Sequence, residues 1–143
     1  MKPSSLEINH SALAGLSQDY DLDLVILFGS RATGNIHVES DTDIAVLGRH
    51  GPMPADRMID LPFRLSEVIK PGEIDLVDLE RASGLLRHVA CEQGLLLFEA
   101  SPGLFAQFRL RAWNMYQDER IQIRRHDSAA IRAALRSLAH ESG

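Results

Sequence analysis

The chain has 143 residues, 45% of them apolar and 24% charged, with a formal net charge of −5. That is enough apolar material for the core of one ordinary domain, and too acidic a balance for nonspecific duplex binding, which requires Lys and Arg to neutralise many phosphates. No apolar run approaches the roughly 20 residues that span a bilayer, and the N-terminal stretch lacks the apolar centre and cleavage site of a secretory signal, so a cytoplasmic protein is expected, with one domain over residues 1–143 and no membrane contact.

In chain order, the pattern predicts a helix over residues 5–17 and a strand over 22–28 that runs directly into Gly29-Ser30. A strand at 43–47 follows, and "GRHGPMP" then interrupts the chain with two Gly and two Pro. Residues 55–69 read as a helix that Pro62 should kink or delay. "EIDLVDL" (73–79) reads as a third strand, 82–93 as a helix closing at Gly94, and "LLLFE" (95–99) as a fourth strand. Ser101 and Pro102 read as an N-cap and first helical residue, opening a long helix that runs to about His126.

Leu104, Phe105, Phe108, Ala112, Met115 and Tyr116 recur along that helix at threes and fours, a single apolar stripe for the core. The expected fold is α+β with an α/β-like arrangement: a small mixed sheet with flanking helices, a core over about 20–100 and a C-terminal helical extension over about 101–127. Charge is uneven. Residues 1–103 hold eight Lys and Arg against sixteen Asp and Glu, whereas 104–143 hold seven against four, so the last helix carries either a solvated basic face or a patch for a partner chain. Trp113 and Tyr116 read as packed side chains, with an interface role as the alternative. The lone Cys91 has no second cysteine for a disulfide or zinc knuckle and reads as a small buried apolar residue. Six histidines show no metal-ligand spacing and read as surface residues, with His88 half-buried.

The chemistry concentrates in "LVILFGSRATGNIHVESDTDIAVLG" (24–48). Side chains alternate along a strand, so Asp41 and Asp43 project to the same side with Cα atoms roughly 6.5 Å apart. Two like charges so close call for a cation between them, and Mg2+, which takes hard oxygen ligands together with waters and substrate phosphates, answers that need. Asp75, heading the third predicted strand, supplies a third acid for a two-metal clamp of the kind used in phosphoryl chemistry. Glu73 and Asp78 flank it, although Asp78 would face the other side of a regular strand. A helix beginning after the first strand would offer its N-terminus to an anion, with Gly29 allowing close approach and Ser30 donating from its hydroxyl. Arg31 follows, reaching phosphate or facing solvent.

Gly29-Ser30, ten intervening residues, then Asp41-Thr42-Asp43 resembles the signature of the polymerase-β-type nucleotidyltransferase superfamily. With "LFGSRATG", "SDTDIAVL", "EIDLVDL" and "MYQDER", the chain resembles the minimal nucleotidyltransferase antitoxins of that superfamily over most of residues 20–125, most closely at 26–47. The resemblance implies a nucleotidyltransferase fold in which Asp41, Asp43 and Asp75 bind Mg2+ and carry catalysis, while Gly29 and Ser30 contact the phosphates of ATP. It further implies an antitoxin of a type VII pair that moves AMP from ATP to a tyrosine of a HEPN-family (HepT-like) RNase toxin within a hetero-oligomeric complex, without contacting nucleic acid directly. Two alternatives stand beside it: a binding-only antitoxin that masks the toxin, and a small-molecule nucleotidyltransferase. The second is disfavoured because only about forty residues follow the last predicted strand, too few for a domain that encloses a small acceptor.

Overall fold

The structure, a computed structural model, describes residues 6–29, 42–70 and 73–141. Its elements are β1 (Glu7–Ile8), α1 (His10–Asp19), β2 (Leu22–Phe28), β3 (Thr42–Gly48), α2 (Ala55–Val68), β4 (Ile69–Lys70), β5 (Ile74–Asp78), α3 (Gly84–Gln93), β6 (Leu95–Glu99) and α4 (Leu104–Glu141). Four strands form one mixed sheet in the order β5-β3-β2-β6. β2 is antiparallel to both β3 and β6, and β3 is parallel to β5. The parallel pair is joined through α2, the crossover that parallel neighbours require.

Strands β2 and β3 read as near-continuous apolar runs because both of their faces are covered. On one face Val25, Leu27, Ile44 and Val46 pack with Leu13 and Leu16 of α1 and Leu61 and Leu65 of α2. On the other, Leu24, Ile26, Ala45 and Leu47 pack with Ala90 and Cys91 of α3 and Phe108 and Ala112 of α4. The sheet is thus the middle layer of three, and each central strand contributes alternate residues to two separate cores. Gly94 makes the α3 layer possible: a Cβ there would lie 2.6 Å from Ile26 Cγ2 and 3.0 Å from the Leu27 carbonyl oxygen, so only glycine lets the helix end this close to β2.

All four sheet strands lie where the sequence pattern places them, to within one residue at each end, and the mixed sheet with flanking helices is the expected fold. The differences lie at element ends, where non-local bonds decide. The first helix begins at His10, not residue 5, because Asn9 is its cap, its side-chain oxygen accepting from the Ala12 N–H at 3.1 Å. The residues before it instead pair as β1 with β4 in a two-stranded antiparallel ribbon, Ile8 opposite Ile69. The third helix starts at Gly84 rather than residue 82, since Ser83 caps it by accepting from Leu86 N–H. Pro62 lies inside α2 without ending it.

Ser101 and Pro102 do not open the last helix. They form a turn with Gly103, and the helix begins at Leu104, where the Glu99 carboxylate accepts the Phe105 N–H at 3.1 Å. That helix runs to Glu141, well past His126. From Ile121 to Ser137 every residue is exposed, so this part of the basic extension is a helix projecting without packing among the described residues.

Candidate functional site

β2 ends where β3 and β5 begin, which brings three chain segments to one end of the sheet. Phe28 is opposite Asp43 in the antiparallel register, and Asp43 is opposite Asp75 in the parallel one. The Thr42 N–H donates to the Glu73 carbonyl at 2.8 Å, fixing that parallel register at its first rung. Neighbouring strands lie roughly 4.8 Å apart, so the two acids stand side by side. Asp43 shares the strand face of Ala45 and Leu47, and Asp75 that of Val77, so both belong to the face covered by α3 and α4. Asp43 is half-buried and Asp75 exposed.

Gly29 completes the described corner. Its φ of +78° lies in the left-handed region that disfavours side chains. A Cβ added there would collide with the Asp43 carboxylate, lying 3.1 Å from its Cγ. The glycine after β2 is therefore required twice, once by the turn and once by the carboxylate that the backbone approaches.

The flanking acids separate cleanly from Asp75. Asp78 is 6% exposed and lies on the opposite face of β5, at its far end. Its carboxylate accepts the Met53 N–H at 2.9 Å, the Glu80 N–H at 3.0 Å and an Arg81 guanidinium N–H at 3.1 Å. It ties the loop before α2 to the turn after β5 and is a structural acid. Arg81, three residues on, was the sequence signal for that role. Glu73 is exposed and lines a cavity between α2 and the start of β5. Ser30, Arg31 and Asp41, with the helix expected to follow Ser30, lie outside the described residues.

Away from this corner, His88 is half-buried, stacked 4.9 Å from the Tyr116 ring and tilted 5.0 Å from Trp113. Tyr116 is packed in this cluster, whereas Trp113 is 44% exposed. Cys91 is buried as expected; burial, and then the adjacent Glu92 carboxylate, push its thiol up to about 11. Among the described residues no three His, Cys, Asp or Glu gather as a metal site. The Asp43–Asp75 pair nonetheless has the donor chemistry of a hard divalent cation: carboxylate oxygens from adjacent rungs, at a strand end where a backbone comes close.

Residues 13–103 match the family model described as polymerase beta, nucleotidyltransferase. The chain is 33% identical over 120 residues to the protein adenylyltransferase MntA of Aphanizomenon flos-aquae, an overlap covering 76% of this chain and 78% of that protein. Among solved structures, it is similar to one from a crystal structure of a toxin–antitoxin with AMP-PNP, with a TM-score of 0.71 and 28% identity, covering 87% of this chain and 99% of the other. It is also similar, with a TM-score of 0.64 and 26% identity over 86% of this chain and 96% of the other, to one from the tri-AMPylated Shewanella oneidensis HEPN toxin in complex with the MNT antitoxin.

Proposed function

The chain belongs to the polymerase beta nucleotidyltransferase family, and from that premise we propose that it is a protein adenylyltransferase antitoxin that transfers AMP from ATP to a tyrosine of a HEPN-family toxin. The observation that carries the reading is the pairing of Asp43 with Asp75 on adjacent strands, with the Gly29 backbone against the Asp43 carboxylate. Two sequence relatives are protein adenylyltransferases, and a solved structure of similar fold sits with an AMPylated HEPN toxin; both observations support the reading. A cytoplasmic location and binding to the toxin are part of this proposal; among the described residues no helix is long and apolar enough to cross a membrane.

In this mechanism Asp41, Asp43 and Asp75 hold Mg2+, which when bound neutralises charge on the phosphates. Gly29 and Ser30 hold the β- and γ-phosphates of ATP through close backbone approach and the serine hydroxyl, with Arg31 beside them. Asp75, the exposed acid, accepts the proton of the acceptor hydroxyl. The tyrosine oxygen bonds to the α-phosphorus, the bond from that phosphorus to the bridging oxygen breaks, and pyrophosphate leaves with the electron pair. Positioning and charge neutralisation supply the rate enhancement, as in other phosphoryl and nucleotidyl transfers.

Labelled ATP tests this directly. Label at the α-phosphorus should appear on the toxin and label at the γ-phosphorus should not; the reverse would identify a kinase. The variant Asp41→Asn/Asp43→Asn separates catalysis from masking: it should still bind the toxin but fail to protect growing cells. Full protection by that variant would mean that neutralisation works by binding alone.

A further inference from the structure

From Ile121 to Ser137 every residue of α4 is exposed, which leaves roughly 25 Å of helix without a packed face. Its pattern is not that of a uniformly solvated helix. Ile121, Ile131 and Leu135 are 48%, 61% and 60% exposed, and with Arg124 and Ser128 they form one stripe at spacings of three and four. Arg124, Arg125, Arg132 and Arg136 stand against a single acid, Asp127. The extension thus carries an apolar seam with a basic margin, the form of a helix that lies on a complementary surface.

The outward face of α2 is that complement. Ile59 and Phe63, one turn apart, are 69% and 70% exposed there, and Asp56, Asp60 and Glu67 are exposed along the same side. Asp56 and Asp60 also line a cavity of about 390 Å3 with Asp19, Tyr20 and Arg57. Arg57 is already engaged, donating to the Tyr20 carbonyl at 3.2 Å, and Asp60 accepts the Tyr20 hydroxyl. With three carboxylates to one guanidinium, this end of α2 attracts further cations. In an antiparallel seat Ile131 meets Phe63 and Leu135 meets Ile59, which carries Arg132 and Arg136 toward Asp56 and Asp60, and Arg124 and Arg125 toward Glu67. A parallel seat would instead set Arg136 against Arg64.

The two surfaces cannot meet within one molecule. α2 packs on one face of the sheet through Leu61 and Leu65, whereas α4 packs on the other through Phe108 and Ala112. α4 is continuous from Leu104 to Glu141, with no Pro or Gly at which to kink back around the sheet. We propose that residues 121–137 of α4 dock antiparallel across the outward face of α2 in a second copy of this chain. Two copies exchanging their extensions about a two-fold axis fill both seats and close the assembly as a dimer. Exposed ion pairs contribute little each, so the dimer is weak, with Kd on the order of tens of micromolar. Below that range the chain is a monomer and its extension stays unpacked.

Sedimentation equilibrium of the full chain, up to about 500 µM, tests this without reference to AMP transfer. The parent should dimerise, less so at high salt. Arg132→Glu/Arg136→Glu on the extension and Asp56→Lys/Asp60→Lys on α2 should each weaken the dimer at least about tenfold, since each sets like charges together in both seats. Mixed in equal amounts, the two variants should associate again, because every seat then pairs opposite charges. Ile131→Ser/Leu135→Ser, which alters only exposed positions outside the cores, should also give a monomer and guards against a folding defect in the α2 variant. A parent that stays monomeric, or a dimer that the extension variants leave unchanged, would overturn the proposal. Folded charge variants that fail to associate on mixing would overturn α2 as the seat. A monomeric parent whose extension variants lose affinity for the HEPN toxin would assign the extension to the toxin and overturn self-docking.

Discussion

Gly29 and Asp43 occupy the same corner so closely that the glycine's missing side chain is filled by the aspartate's carboxylate. The contact explains why the chain turns through glycine at that point: a left-handed φ of +78° and a carboxylate against the α-carbon exclude every other residue.

Gly29→Ala therefore should displace the Asp43 carboxylate and strain the turn together. AMP transfer is expected to fall at least about a hundredfold, the scale that a displacement of roughly an ångström produces at a reacting centre. Stability should fall by about 1–2 kcal/mol, the range for a side chain forced into the left-handed region. Label transfer and urea denaturation measured on the same preparation would check both.

The two aspartates of β5 should behave oppositely. Asp75→Asn removes charge from an exposed position, so the fold should hold while transfer and the stabilisation conferred by ATP with Mg2+ are lost. Asp78→Ala leaves the buried Met53 N–H and the half-buried Glu80 N–H without their acceptor, which should cost about 1–3 kcal/mol. At a temperature where that variant remains folded, transfer should persist. Equal stability losses in the two variants would contradict the assignment of their roles.

Cys91 gives a pH signature. Its folded thiol binds the proton more tightly than the unfolded one, being pushed from 9.0 up to about 11 by burial. The unfolded chain therefore deprotonates first, and this contribution to stability is fully present below about pH 9 and lost as the pH rises towards 11. Because the thiolate is the nucleophile, alkylation at pH 8 should be about a hundredfold slower in the folded protein than in urea, as followed by intact mass. The loss of stability above pH 9 should be smaller in Cys91→Ala.

The distal part of α4 should be separable from the body. Its residues from Ile121 to Ser137 are all exposed, and a helix without a packed face is only marginally stable in water. Hydrogen exchange should show little protection beyond about residue 122, against strong protection near Phe108 and Ala112, which are buried in the core. Deleting residues 122–143 should shift Tm by less than about 2 °C.

By itself the sequence determined the features set by short-range periodicity and by residue chemistry. The apolar runs of β2 and β3, the stripe of Leu104, Phe105, Phe108 and Ala112, and the acids Asp43 and Asp75 near strand ends are all local patterns, and each of these occupies its expected element. Only the tertiary structure decided how those elements meet. The register that sets Asp75 beside Asp43 depends on a bond between Thr42 and Glu73, thirty-one residues apart. The burial of Asp78 depends on Met53 arriving from another segment, and the start of α4 on the Glu99 carboxylate rather than on Ser101. Periodicity constrains each side chain to a face within roughly one or two turns; which face meets which is set by non-local pairing and packing, and that pairing places the two acids and the glycine at one end of the sheet.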